Sequence, residues 1–156
     1  IMQHNFLVRK YSQWLKDRPL ATRSWTSAVV LGVGDIFAQL IENFGQTESK
    51  FSPIRSLKMS FVGLTVIGPN GHGFFKIAEK VCPGTSMSNV FKKLVMDQFL
   101  FAPYIITVNF TAVGLLNDKS ISEIKHKIVQ DLTPTFKRDA SLWVPANFVG
   151  FRFIPY

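Results

Sequence analysis

A chain of 156 residues that is 47% apolar and 13% aromatic, with 15 Phe, has material for a packed core and is neither disordered nor a low-complexity tail. Its single Cys82 excludes an internal disulfide, and no segment repeats at a solenoid period. The formal charge of +8 would point to nucleic acid if Lys and Arg shared one face; instead they lie in small groups bracketing apolar blocks, as at lipid headgroups or in the loops of a soluble helical bundle.

Residues 1–21 read as an amphipathic arm. Leu7, Tyr11, Trp14 and Leu15 fall on one helical face and Arg9, Lys10, Lys16 and Asp17 elsewhere, suiting a helix on a membrane surface or against a bundle end. Ile1 ahead of Met2 suggests that the chain is not a complete natural product.

Residues 22–41, TRSWTSAVVLGVGDIFAQLI, have about the 20-residue length needed to cross hydrocarbon. The Val, Leu, Ile and Phe residues each favour insertion by roughly 0.3–0.6 kcal/mol, while Asp35 opposes it by roughly 2.5–3.5 kcal/mol. The two nearly cancel, so Asp35 is expected to face a bundle interior. Gln39 lies one turn on and shares its face. GVGDIFA, residues 32–38, superficially matches a dinucleotide-binding turn, but the third glycine, a βαβ pattern and a ribose-binding acid are all missing. Gly32, Gly34 and Ala28 read better as a small-residue face that lets two helices approach.

The second span is expected over 57–77, with Arg55 and Lys58 on one face at its start. GPNGHGFF, residues 68–75, interrupts it. In lipid this is a kinked helix at Gly68 and Pro69, whose freed backbone groups are satisfied by neighbours, Asn70 and His72 among them. The rival is a helix ending at Ile67 with a tight turn outside the bilayer. His72, with an ordinary pKa of roughly 6.5, either lends proton sensitivity or is a packed, hydrogen-bonded histidine.

The third span is expected over 94–116. Lys93 stands one turn before Asp97, so a local ion pair is available; Gln98 follows, Pro103 breaks the helix, and Asn109 lies deep in the apolar run. Residues 120–140 read as amphipathic connecting helices. Ser120 and Glu123 form a capping box, Ile121, Ile124, Ile128 and Leu132 form a stripe, and Thr133-Pro134 reads as a new N-cap with proline at the first helical position. Residues 142–156, LWVPANFVGFRFIPY, start a fourth span too short to finish a crossing. The expected fold is therefore all-α: a single-domain integral membrane helical bundle of three spans plus a truncated fourth, joined by amphipathic helices. The balance of Lys and Arg between loops does not orient it.

No metal or cofactor is expected, because His4, His72 and His126 are isolated and Cys82 has no partner at ligand spacing. No nucleophile stands with a base and an orienting group, so the chain is not read as an enzyme. The expected partner is the lipid bilayer, with a homo-oligomer compatible and no nucleic acid bound directly. Asp35, Gln39, Arg55, Lys58, Asn70, His72, Lys93, Asp97 and Gln98 remain as polar residues in or beside the apolar blocks. They either border an aqueous path or pair between helices to specify packing.

The order of motifs resembles the peroxisomal-membrane 22-kDa protein family, which has mitochondrial inner-membrane members. The likeness rests on Asp35-x-x-x-Gln39, Arg55-x-x-Lys58, Gly63, Gly68-Pro69-x-x-His72-x-Phe74-Phe75, Lys93-x-x-x-Asp97-Gln98-x-x-x-x-Pro103, Trp143-x-Pro145 and Ile154-Pro155. Phe74-Phe75 replaces a usual Trp-Tyr, Asn147 a usual Gln and Gly150 a usual Asn, which weakens the polar character of the last segment. The family also continues beyond Ile154-Pro155. The resemblance implies a small organelle-membrane protein, mitochondrial or peroxisomal, that behaves as a channel for small solutes or ions. It also implies a part in organelle homeostasis, including reactive-oxygen balance and mitochondrial DNA maintenance. The alternatives are a non-conducting membrane scaffold and a soluble helical ligand-binding protein.

Overall fold

The computed structural model describes residues 6–44 and 51–153. The expectations placed on Ile1-Met2, His4, the Leu7 and Arg9 side chains and Ile154-Pro155 lie outside the described residues and side chains. Every described element is helical: α1 (Phe6–Asp17), α2 (Pro19–Glu42), α3 (Pro53–Val62), α4 (Gly68–Val81), α5 (Met87–Met96), α6 (Ala102–Leu116) and α7 (Ile121–Phe153). The chain divides into two compact units, Ile1–His72 and Gly73–Tyr156.

In the first unit α2 begins three residues before the expected span, because Pro19 can occupy the first turn, where its missing N–H costs nothing. Along α2 the usual order of burial is reversed. Ser24, Ala28, Gly32, Asp35 and Gln39 are buried, whereas Trp25, Val29, Val30, Phe37, Leu40 and Ile41 are each more than half exposed. A water-soluble helix would turn those large residues inward; lipid removes that preference and leaves close backbone packing and polar pairing to join helices. The small-residue face accordingly carries the packing of α2 on α3. A Cβ on Gly63 would stand 2.5 Å from Ser27 O, and one on Gly32 or Gly68 would collide with Ser60 or Ser24. Gly34 takes no part: nothing lies within 4 Å of its Cβ position. Tyr11 and Trp14 of α1 are exposed, and Tyr11 Oη lies 3.2 Å from Thr26 Oγ1 of α2.

The GPNGHGFF stretch does not end the helix. Residues 53–81 are continuous, with a π-helical turn at Gly63–Ile67 in which Gly68 N–H donates to Gly63 O, five residues back. The wider turn shifts the carbonyls that Pro69 would strike in a regular α-helix. Asn70 Nδ2 donates to Val66 O at 2.8 Å, satisfying one carbonyl at the joint. This agrees with the interrupted-helix reading and not with a turn beginning at Ile67.

In the second unit the same device recurs at Asp97–Phe101, before Ala102-Pro103, and it makes Met87–Leu116 one continuous helix of 30 residues. Among the described residues two helices are long and apolar enough to cross a membrane, Pro19–Glu42 and Met87–Leu116. Helix α7 corrects the expectation at Thr133-Pro134: no new helix starts there, and 33 residues run through Pro134 and Pro145. A proline inside a helix and one at its first turn look alike locally, and here the apolar stripe decides. Ile124, Ile128, Leu132, Phe136, Ala140 and Val144 keep one less-exposed face across the proline. Gln130 and Ser141, whose carbonyls lose their helical donors, are both exposed. The Ser120–Glu123 capping box is formed as expected, Ser120 N–H donating to Glu123 Oε2 at 2.8 Å and Glu123 N–H to Ser120 Oγ at 3.3 Å.

Candidate functional site: buried polar groups in apolar helices

Three polar groupings are built from these elements. The first joins α2 to α3. Asp35, one turn before Gln39, is 7% exposed, and its two oxygens are used up: Oδ1 meets Arg55 Nε at 2.8 Å, while Oδ2 accepts from Gln39 Nε2 and Ser56 Oγ, each at 2.8 Å. Gln39 also ties the start of α3, accepting from Ser52 N–H at 2.7 Å and donating to Ser52 O at 3.1 Å. Arg55 completes a fork to Glu42, Nη1 to Oε2 at 2.7 Å and Nη2 to Oε1 at 3.1 Å. A carboxylate so paired is a fastener, because both of its oxygens are held by groups of the two helices it joins.

The second closes the α4–α5 turn. Lys93 is 1% exposed, its ammonium held by Glu79 and by Gly84 O at 2.9 Å, and it lies 5.7 Å from the Phe151 ring centroid. Gly84, at φ +81°, turns the chain so that its own N–H reaches Glu79 Oε1 at 2.8 Å. Arg152 Nη1 donates to Thr85 O at 2.9 Å and ties the end of α7 to the same turn. The expected local pair of Lys93 with Asp97 is not made. The turn at Pro83-Gly84 brings Glu79 back alongside α5, and the lysine takes that partner instead.

The third surrounds Asp97 at the π turn. The residue is 4% exposed, and Oδ2 accepts from Gln98 Nε2 at 2.8 Å and from Asn147 Nδ2 of α7 at 3.0 Å. Among the described residues no cation pairs with it. Asp139, two turns before Asn147 on α7, is close enough for the two carboxylates to repel. Among the described residues nothing donates to Gln98 Oε1, which is buried, or to Asn109 Oδ1 further along α6, also buried.

Asp35, Gln39 and Arg55 therefore meet in one group, Lys93 belongs to another, and Asp97 and Gln98 form a third. Lys58 on α3 and His72 on α4 are half-buried, and Asn70 serves the helix joint. Sequence reasoning missed Ser52, Ser56, Glu79 and Asn147 as partners. The Pro83-Gly84 turn was the available signal for Glu79, and the place of Asn147 in the family pattern was the signal for that residue. Among the described residues no group of three or more His, Cys, Asp or Glu could hold a metal ion.

Comparison with known proteins places the chain. Residues 114–156 match the sequence model of the Mpv17 / PMP22 family. The chain is 33% identical over 147 residues to PXMP2/4 family protein 1 of Dictyostelium discoideum, covering 92% of this chain and 70% of that protein. It is 31% identical over 150 residues to the mitochondrial inner membrane protein Mpv17 of Danio rerio, 96% of this chain and 84% of that one. It is 26% identical over 151 residues to peroxisomal membrane protein 2 of Bos taurus, 95% and 77% of the respective chains. No solved structure matches the chain.

Proposed function

We propose, from the premise that this chain belongs to the Mpv17 / PMP22 family, that it is a channel-like protein of an organelle membrane, mitochondrial inner or peroxisomal. In this reading it passes small solutes or ions and performs no covalent chemistry. Its spans are those of α2, of the interrupted helix 53–81 and of Met87–Leu116, and residues 142–156 begin a fourth.

The observation that carries this reading is Asp97. It sits inside the more apolar of the two candidate spans, is 4% exposed, and is met by two neutral amides and no described cation. An acid at membrane depth costs several kcal/mol on the order given by insertion scales, and structural acids offset that cost by pairing, as Asp35 does with Arg55. Asp97 lacks that compensation, as expected of a group meant to meet something mobile. The π turn that holds it is a distortion found often at functional sites.

The test is conductance of the reconstituted full-length chain in planar bilayers. Asp97→Asn is expected to change unit conductance or ion selectivity by several-fold, and unchanged values would remove Asp97 from any permeation role. The second reading, a non-conducting scaffold, is favoured by the saturated Asp35 group, and it predicts liposome flux no higher than protein-free controls.

A further inference from the structure

Residues 53–81 and 87–116 share one plan. Each opens with a serine cap whose hydroxyl accepts the N–H three residues on, Ser52 from Arg55 and Ser86 from Asn89. Each continues as a 10-residue α-helix and a five-residue π turn, and then as a helix of 14 or 15 residues that begins with a small residue and proline. A single shift along the chain carries Ser52 onto Ser86, Gly63 onto Asp97, Gly68 onto Ala102 and Pro69 onto Pro103. Burial follows the shift: Ser56 and Val90, Gly63 and Asp97, and Gly68 and Ala102 are buried in both copies. Proline-interrupted helices at corresponding places in two repeats are where membrane transport proteins put their ion sites, because an interrupted helix exposes backbone oxygens.

The copies differ at the joint. In the first, Gly63 lets Ser27 and Ala28 of α2 fill the space, and a Cβ there would stand 2.8 Å from Ala28 Cα. In the second, Asp97 occupies the same place and brings oxygens. Its Oδ1 accepts no hydrogen bond from any described residue, since both amides use Oδ2. Gln98 Oε1 is buried without a donor among the described residues. The Gln98 carbonyl, which by the five-residue register of the π turn would receive the N–H that Pro103 lacks, is left to other partners. One carboxylate with neutral oxygens of carboxamide and peptide is hard-ligand chemistry with a single negative charge.

We propose that the two segments are copies of one helix, π turn and helix module, and that the second joint, at Asp97 and Gln98, binds a monovalent alkali-metal cation. The proposal rests on the channel reading for its place in function and names the ion class that reading leaves open. Asp139 adds negative potential to the site. Lys93, the nearest cation along α5, is turned away to Glu79.

The experiment is thermal unfolding of the full chain in nanodiscs, with N-methylglucamine chloride exchanged for NaCl or KCl at constant ionic strength. At a cation concentration about ten times Kd the midpoint is expected to rise by about 3–5 °C. Asp97→Asn is expected to abolish the rise, and Asp17→Asn, at the exposed end of α1, to keep it. Should Asp97→Asn fail to fold, Gln98→Leu keeps the carboxylate and is expected to weaken apparent cation affinity about tenfold; unchanged affinity overturns the site. No cation-specific rise in the wild type, or a rise unaltered by Asp97→Asn, also overturns it. A response to pH in place of alkali cations identifies a proton as the occupant and overturns it too. Conductance without the thermal rise removes this site and keeps the channel, whereas the rise without conductance keeps the site and removes the channel.

Discussion

Asp35 Oδ1 and Arg55 Nε meet at 2.8 Å across the α2–α3 contact, with the carboxylate side chain 5% exposed and the guanidinium side chain 46% exposed. The pair is thus half in and half out: the acid is desolvated, while the base can still reach the boundary of the apolar region.

Arg55→Ala is expected to destabilise the fold more than Asp35→Asn does, because it leaves a buried carboxylate with only neutral donors. The cost is on the order of 2 kcal/mol, below the roughly 3–5 kcal/mol of a fully buried pair because Arg55 is partly solvated. Unfolding of the two single variants and the double variant in detergent gives the coupling energy. A coupling indistinguishable from zero would show that the contact does not hold the helices.

Gly63→Ala is expected to lower stability by about 1–3 kcal/mol, since the new methyl meets Ser27 and Ala28 backbone atoms that cannot swing aside. Gly34→Ala, with open space at its Cβ, is expected to be neutral or to stabilise by up to about 1 kcal/mol through helix propensity. Thermal midpoints of the two variants, measured together, check the contrast.

Lys93→Met removes the ammonium from a 1%-exposed position and leaves Glu79 facing Gly84 alone. A loss of roughly 3 kcal/mol is expected. Glu79→Gln added to Lys93→Met is expected to recover part of it, because the stranded charge is gone. Protease cutting at the Pro83–Ser86 turn reports local release: faster cutting in the single variant than in the double supports the clamp.

The Ser120 N–H and then its hydroxyl, followed by Lys119, hold Glu123 below its ordinary carboxyl value. A depressed carboxyl stabilises the folded form fully above the unfolded value, near 4.5, and that contribution is lost as pH falls through the lower folded value. The protection factors of the first-turn amides of α7, exchange rates corrected for their intrinsic pH dependence, are therefore expected to fall in the wild type below about pH 4.5, and to be low at every pH in Glu123→Ala. Equal protection in the two proteins at pH 7 would show that the cap contributes nothing.

Much of this arrangement is legible from residue types alone, and the limits are physical. Asp35 and Gln39 could be placed inside because a charge in an apolar run has few places to go, and the capping box because it is local. Small residues at 28 and 32 announced a close contact, but Gly34 has the same chemistry and faces outward, so composition did not separate the two glycines. Thr133-Pro134 misled because a proline's effect depends on whether the face it belongs to is packed beyond it, as the stripe from Ile124 to Val144 is. Lys93 misled because a partner one helical turn away loses to one returned by a tight turn. The repeated module stayed hidden, since its copies share a cap, a small residue and a proline, and differ at the position that matters most, Gly63 against Asp97.

Helix α7 runs 33 residues without a break. At 1.5 Å per residue that is a rod of about 50 Å, against about 30 Å of hydrocarbon. Its first two turns carry Lys125 and Lys127, on the stretch read as an amphipathic connection. Its other end carries Asn147 to Asp97 and Arg152 to the Thr85 carbonyl. Through that end α7 joins the capped start of the helix, at Ser120, to the group around Asp97 on one unbroken element.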